Sequence, residues 1–185
     1  MVLSVRAVES LSEIGEATWQ RFANREGSPR DPFLSYAFLS ALEQSGSVSA
    51  DVGWLPYHLV LEDEAKQPLG VMPLYLKGHS QGEYIFDYSW ADAFERAGGR
   101  YYPKMLSAIP FTPATGRRLL VASSEHESAL VSGAAQIASE MNISSVHLNF
   151  LDQAAWQRRG DEGWLLRTHK QYHWQNQGYK TFDDF

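Results

Sequence analysis

The residues between Arg96 and Arg118 could bind an anion, because their composition differs sharply from that of the whole chain. This segment carries five basic side chains and no carboxylate, although the protein has a net charge of -6. Six glycines and prolines interrupt it, so much of its backbone lies outside regular helix or strand and exposes N–H groups. Amides, guanidinium groups, threonine hydroxyls and aromatic rings together favour a pocket for a phosphate or a carboxylate.

We predict that the side chains suited to this ligand converge on one shared hollow of the folded protein. The anion-binding candidates are Tyr101, Tyr102, Lys104, Thr112, Thr115, Arg117 and Arg118. The alternative is a solvated, turn-rich connection whose arginines satisfy the ends of helices. Composition alone leaves both interpretations open.

Composition and motifs exclude several other kinds of chemistry. The sequence has no cysteine, which removes disulfides, thiolate metal sites and cysteine nucleophiles. It also lacks the motifs of P-loop ATPases, dinucleotide-binding enzymes, serine hydrolases and zinc proteases. His169 and His173 would share one face of a strand, but a metal site there would need a carboxylate from elsewhere, so we expect no metal.

The overall balance of residues predicts a cytoplasmic globular protein. Hydrophobic residues make up 44% of the 185 residues and charged residues 21%, which is typical of a chain that buries a substantial core. The N-terminus lacks the apolar core of a signal peptide, and no run of about 18 apolar residues predicts membrane insertion. A pI near 5.5 argues against a general nucleic-acid binder, although RNA recognition through the basic segment stays as a third interpretation.

Apolar periodicity and capping signals predict a succession of short strands and helices. Strands are expected at residues 2–8, 56–62, 69–76, 84–86, 118–122, 145–150 and 164–172. Helices are expected at residues 14–22, 35–44, 90–97, 102–108, 124–141 and 152–159. The pattern predicts an α+β fold with three α/β layers, in which helices flank a mixed, mostly antiparallel central sheet.

This order of elements is similar to that of the GNAT acyltransferases. In that fold, a turn of the form Arg/Gln-x-x-Gly-x-Gly/Ala at a helix N-terminus holds the pyrophosphate of acyl-CoA through backbone amides. The nearest match here is the hexapeptide from Arg96 to Tyr101, which ends in tyrosine and follows a predicted helix instead of a strand. The topology therefore matches better than the acyl-CoA turn does.

Four longer motifs resemble the FemAB-like family of predicted N-acyltransferases, which is associated with peptidoglycan biosynthesis or recognition. The motifs are DYSWADA at 87–93, YYPK at 101–104, IPFTPATGRRLL at 109–120 and YHWQNQGYKTFDDF at 172–185. The resemblance runs from about Asp31 to the end of the sequence, and members of the family look like two GNAT-like halves in tandem. It implies that residues 1–175 form one GNAT-like domain and that 176–185 begin a connecting helix to a second half.

The resemblance implies transfer of an acyl or aminoacyl group to an amine of a large anionic acceptor, with a peptidoglycan precursor as the candidate. The acyl donor would be either acyl-CoA or aminoacyl-tRNA, and the second choice would make tRNA a partner. The alternative is a non-catalytic binding or scaffold half, whose chemistry depends on a second GNAT-like half.

A second set of site residues is expected near the end of the sequence. His173 is the candidate base for the amine proton, and Asn176 or Tyr179 is the candidate hydrogen-bond donor to the developing oxyanion. Trp174 would stand with them on a wall opposite the basic segment, and Trp90 is a further ligand-binding candidate. The alternative for His173 and Trp174 is a packed strand end.

Overall fold

The computed structural model describes residues 2–25, 27 and 29–185, and most of the predicted helices and strands are present among them. The strands are β1 Ser4–Val8, β2 Trp54–Pro56, β3 His58–Glu62, β4 Pro68–Met72, β5 Tyr75–Lys77, β6 Lys104–Ser107, β7 Leu120–Val121 and β8 Val146–Leu148. The helices are α1 Glu16–Ala23, α2 Tyr36–Gln44, α3 Tyr88–Arg96, α4 Glu127–Glu140 and α5 Gln153–Asp161.

The strands form two four-stranded sheets that join end to end. One sheet has the order β1-β3-β4-β7 and the other the order β2-β5-β6-β8. Tyr57 alone separates β2 from β3, and its amide donates a hydrogen bond of 2.8 Å to the Leu74 carbonyl between β4 and β5. Pro73 has no amide hydrogen, so the ladder is interrupted there. The continuous strands β2–β3 and β4–β5 therefore each run through both sheets, and both bend where the two sheets join.

A long loop separates β6 from β7. β6 is antiparallel to β5 and β7 is antiparallel to β4, as the pairs Tyr75–Leu106 and Gly70–Val121 show. Residues 108–119, named here the excursion segment, leave the sheet between β6 and β7. β8 is parallel to β6, and the described residues show no pairing of β8 with β7. The sheet consequently opens beside the end of β8.

Helices cover both faces of the sheet, which accounts for three layers. Neighbouring residues of β3 point to opposite faces, as strand geometry requires. Val60 belongs to the buried cluster that contains Trp19 of α1, whereas Leu59 and Leu61 belong to the cluster that contains Leu130 of α4. The predicted α+β fold, with a mostly antiparallel sheet flanked by helices, is confirmed.

Three predicted elements are wrong: the helix at 102–108 and the strands at 164–172 and 84–86. Residues 102–108, expected to be helical, contain β6. Its four residues are all buried between β5 and β8, and a strand buried on both faces lacks the alternation that distinguishes strand from helix. Residues 164–172, expected to be a strand, have no ladder pairing among the described residues.

Side-chain hydrogen bonds hold residues 164–172 in place of a ladder. The Trp156 indole donates to the Arg167 carbonyl at 3.3 Å, and the Gln171 amide donates to the Pro113 carbonyl at 2.9 Å. The predicted strand at 84–86 is also absent from the described structure, where Arg167 Nη2 donates to the Phe86 carbonyl at 2.9 Å. These polar side chains bring the segment over the open end of the sheet.

Candidate functional site

A cavity of about 500 Å³ lies at the opening of the sheet. Its floor is β8 and the residues that follow it, among them His147 and Asn149. Helix α5 supplies Trp156 and Arg159, and residues 164–169 and 171 close another side. The excursion segment reaches the cavity through Thr115, and the Gly116 amide is tied to the Phe150 carbonyl at 2.9 Å. Elements distant in sequence thus meet around one hollow.

Among the described residues, those that line the cavity carry positive but no negative side chains. Two arginines, Arg159 and Arg167, line it, together with uncharged polar groups such as Thr115, Asn149 and Gln153. No aspartate or glutamate is present among the described residues that line it. In a protein of net charge -6, such a wall favours an anionic or neutral polar ligand.

His147 is an imidazole of this wall that the fold largely encloses. Its Nε2 lies 2.8 Å from the Ser145 hydroxyl, which fixes the ring. Burial, and secondarily the charge of Lys104, lower the pKa of His147 to about 4. The imidazole is therefore neutral at pH 7. It is a weaker base than an ordinary histidine, so it can take a proton only from an N–H group that becomes acidic as the reaction proceeds.

A buried cluster of charges lies beneath the cavity and includes Lys104. Its fully buried ammonium group contacts Glu83 Oε2 at 2.8 Å and also bonds to Asp87 Oδ2. Ser80 Oγ is a further partner at 3.2 Å, and the Tyr101 hydroxyl donates to Asp87 Oδ2 at 3.0 Å. We name Lys104, Glu83 and Asp87 the ion cluster. Lys104 has carboxylate partners on both sides, so its role here is to join parts of the structure.

Asp87 connects the ion cluster to the cavity wall. Its Oδ1 accepts a hydrogen bond from Arg167 Nη1 at 3.0 Å, while its Oδ2 accepts from Lys104 and Tyr101. Burial alone would raise the pKa of Asp87, but the bonds from Lys104 and Tyr101 outweigh it and leave the pKa lowered. The ionised carboxylate therefore holds Arg167 at the cavity.

The structure separates the predicted anion-binding residues. Of these, Thr115 lines the cavity. Tyr101 and Lys104 belong to the buried network beneath it, where Tyr102 also bonds to Ser80 at 2.7 Å through its hydroxyl. The Thr112 hydroxyl donates to the Pro110 carbonyl at 3.1 Å within the excursion segment. Trp90 is 62% exposed on α3, outside the cavity wall.

Arg117 and Arg118 correct the expectation that the basic side chains converge. The Arg117 guanidinium donates to the Phe22 carbonyl at 3.2 Å and to the Ala23 carbonyl, both in the last turn of α1. Arg118 is buried and donates to the carbonyls of Ala114 and Arg117 at 2.7 and 2.9 Å. A helix leaves its final carbonyls without intrahelical partners, and Arg117 supplies donors to them. The alternative interpretation, arginines that satisfy helix ends, describes Arg117.

Replacement of Arg117 by methionine is expected to lower the free energy of unfolding by roughly 1.5–3 kcal/mol, because two carbonyls at the end of α1 lose a charged donor. Arg100→Met is the matched control, since Arg100 is exposed and its side chain has no hydrogen-bond partner among the described residues. Urea denaturation of both variants measures the difference. Equal stability of the two variants would exclude the helix-end role.

The four residues predicted near the end of the sequence do not form a wall of this cavity. His173, Trp174, Asn176 and Tyr179 lie outside the residues that line it. The Trp174 ring stacks on Tyr179 at 6.2 Å between centroids, and the Asn176 side chain accepts from the Gly178 amide at 2.9 Å. His173 is exposed, and its Nε2 contacts the Gln171 side chain at 3.2 Å. Trp174 and Tyr179 thus stack on each other, while His173 and Asn176 bond to residues close to them in sequence.

The hexapeptide from Arg96 to Tyr101 does not form the phosphate-binding turn of a helix N-terminus. It follows the C-terminus of α3, where Gly98 has a φ of 86° and the Gly99 amide donates to the Phe94 carbonyl at 3.0 Å. A glycine in the left-handed region with such a bond is a helix C-cap. The Gly99 amide is thus committed to closing a helix.

Three separate elements supply residues of the cavity wall that the sequence does not predict as site residues. Inside the predicted strand at 145–150, the sequence favours a hydrogen-bonded structural role for His147, and it gives no site role to Arg159 or Arg167. A signal was present for His147, because the strand alternates and places it opposite Val146 and Leu148. Nothing in the local sequence could place Arg159 and Arg167 at the same cavity.

The described residues contain no group of three or more histidines, aspartates or glutamates arranged to hold a metal ion. Within the same residues, each helix is too short or too polar to cross a lipid bilayer.

Comparison with solved structures gives the class of fold. An aminoglycoside antibiotic 6'-N-acetyltransferase from Acinetobacter baumannii aligns over 96% of this chain and 100% of its own, with 9% identity and a TM-score of 0.50. A ribosomal-protein-alanine N-acetyltransferase from Brucella melitensis biovar Abortus 2308 aligns over 97% and 100%, with 14% identity and a TM-score of 0.49. The fold is that of the GNAT acetyltransferases.

The family follows from the sequence. The model of the FemAB-like family, which is described as a peptidoglycan biosynthesis/recognition family, matches residues 10–185. The chain therefore belongs to the FemAB-like family. A search of curated protein sequences gave no match.

Proposed function

We propose that this protein is an N-acyltransferase that transfers an acyl or aminoacyl group to an amine of an anionic acceptor, for which a peptidoglycan precursor is the favoured candidate. Family membership and the GNAT fold support the reaction class. The observation that carries the proposal is a neutral imidazole, His147, in the wall of a cavity free of carboxylates among its described lining residues.

Amide formation requires a deprotonated amine, a positioned carbonyl and a donor to the oxyanion that develops. The neutral amine nitrogen attacks the acyl carbon and the bond to the leaving group, the CoA sulfur or a tRNA ribose oxygen, breaks. The amine proton passes through His147 to that leaving atom. Thr115 and Asn149 line the same cavity and offer an O–H and an N–H donor to the oxyanion. This assigns to His147 the role that the sequence had suggested for His173.

The acyl donor stays open between acyl-CoA and aminoacyl-tRNA. The glycine turn from Arg96 to Tyr101 caps the C-terminus of α3, so acyl-CoA would have to bind through other backbone amides. We also propose that residues 1–175 act as one GNAT-like unit and that residues 176–185 lead into a second such half. The rings of Trp174, Tyr179 and Phe185, which cluster at the surface, support a packing surface for that half.

A transfer assay tests the proposed function. The protein is incubated with acetyl-CoA or with aminoacyl-tRNA, together with a nucleotide-linked muropeptide that carries a free lysine amine. Mass spectrometry is expected to show the muropeptide heavier by one acyl group with one of the two donors. A protein that binds the muropeptide, as followed by tryptophan fluorescence, but transfers nothing from either donor would instead be the non-catalytic binding half.

A further inference from the structure

Arg159 has hydrogen-bonding capacity that the rest of the described structure does not use. It lies in α5 and is 3% exposed. Its Nη2 donates to Glu162 at 2.9 Å and lies 3.5 Å from Glu127. Its Nε and Nη1 have no hydrogen-bond partner among the described residues. Buried guanidinium N–H groups without partners are costly, and in native structures they often mark the place of a ligand or an ordered water.

Arg159 differs in this respect from the other arginine of the cavity wall. Both terminal nitrogens of Arg167 are engaged, one by Asp87 and one by the Phe86 carbonyl. The carboxylates that contact Arg159, Glu127 and Glu162, are not among the residues that line the cavity. Arg159 therefore lines the cavity while two of its guanidinium donors are unused, and the described wall presents no negative side chain to a ligand.

Arg158, the neighbour of Arg159, is the principal ion-pair partner of Glu127. Arg158 Nε and Nη2 each donate to a different oxygen of Glu127 at 3.1 Å, in a two-pronged ion pair. The contact of Arg159 with the same carboxylate is longer, at 3.5 Å. The two adjacent arginines consequently have distinct surroundings, one paired outside the cavity and one with free donors in its wall.

We infer that Arg159 is the anion-binding residue of the cavity, and that it binds a carboxylate or phosphate of the acceptor while the acceptor amine faces His147. The inference rests on the proposed function for the identity of the acceptor, but the anion site itself is defined by Arg159 and the cavity. Guanidinium groups suit both anions, since each presents several oxygens to a fan of N–H donors. The arginine would thereby select acceptors that carry an acidic group.

The test measures anion binding alone, without an acyl donor. Sodium acetate and sodium phosphate are titrated separately at constant ionic strength, and the fluorescence of Trp156 and Trp164, which line the cavity, is followed. One of the two anions is expected to give a saturable change, and its identity distinguishes a carboxylate from a phosphate. Arg159→Gln is expected to weaken that binding at least about tenfold, since it removes charge-assisted hydrogen bonds.

Arg158→Gln is the matched control, because Arg158 occupies the next position of α5 but pairs with Glu127. It should bind the anion with nearly unchanged affinity. Saturable binding of neither anion, or equal affinity in the two variants, would overturn the inference. Should Arg159→Gln fail to fold, the Nε–H resonance of Arg159 in the unaltered protein replaces it. That resonance is expected to shift on saturation with the anion, and an unshifted resonance would overturn the inference.

Transfer activity separates this inference from the proposed function. A protein that forms the amide but binds neither anion would support the proposed function and contradict the anion site at Arg159. A protein that binds acetate or phosphate through Arg159 but forms no amide with either acyl donor retains the site and loses the function.

Discussion

Replacement of Lys104 by methionine is expected to lower the free energy of unfolding by about 3–5 kcal/mol, which is the usual cost of removing one partner from a buried ion pair. The Lys104 side chain is fully buried and contacts Glu83 Oε2 at 2.8 Å and Asp87 Oδ2. Without the ammonium group, these two carboxylates would be left close together in the interior. Urea denaturation followed by circular dichroism measures the loss.

Lys66→Met is the control for the loss of a lysine charge at the surface. The Lys66 side chain is 71% exposed and its ammonium lies 3.8 Å from Glu62 Oε2. An exposed pair of this kind contributes about 0–1 kcal/mol, so the control should stay close to the unaltered protein. A Lys104→Met protein as stable as Lys66→Met would contradict the structural role and would restore Lys104 as a ligand-binding cation.

The second large effect is expected for His147→Gln. If the imidazole accepts the amine proton, this variant should lower kcat/KM of the transfer reaction by about 10²–10⁴-fold, the range that general base catalysis supplies. Far-ultraviolet circular dichroism should show that the fold is kept. His173→Gln is the paired variant, because His173 was the base suggested by the sequence. Its kcat/KM should differ from that of the unaltered protein by less than about twofold.

The pH dependence of stability supplies an independent check on the surroundings of His147. Its pKa in the folded protein is about 4, below the ordinary value of 6.5, because burial disfavours the charged ring. Between these two pH values the unfolded chain binds more protons, so the contribution of His147 to stability is complete above 6.5 and is lost as the pH falls towards 4. His147→Gln should remove this component, and an unchanged difference between pH 6.5 and 4 would contradict the buried, neutral imidazole.

Much of the fold is local in origin and could be predicted. Ser35 accepts from the Phe38 amide at the start of α2, and Asp152 accepts from the Ala155 amide at the start of α5, as expected for N-cap residues. The exceptions depend on partners elsewhere in the chain. β6 is a strand because β5 and β8 lie beside it, and residues 164–172 are not a strand because side chains, not a sheet edge, hold them.

The site was harder to predict because charges that are separate in sequence are paired in space. The segment from Arg96 to Arg118 has no carboxylate of its own, but Glu83 and Asp87 neutralise Lys104 from outside it. Arg117 bonds to α1, far upstream in the chain. The run of positive charge therefore does not form a pocket of its own. The side chains that line the cavity come from β8, α5 and the segment after α5, and only the folded chain unites them.

A crystal structure of the protein with the nucleotide-linked muropeptide tests the central claim most directly. We expect the lysine amine of the ligand to lie within about 2.6–3.2 Å of a ring nitrogen of His147, the distance at which a proton can be transferred. We also expect an oxygen of an acidic group of the ligand to contact Arg159. A muropeptide bound against His173 and Tyr179, with nothing in the cavity beside β8, would contradict the account.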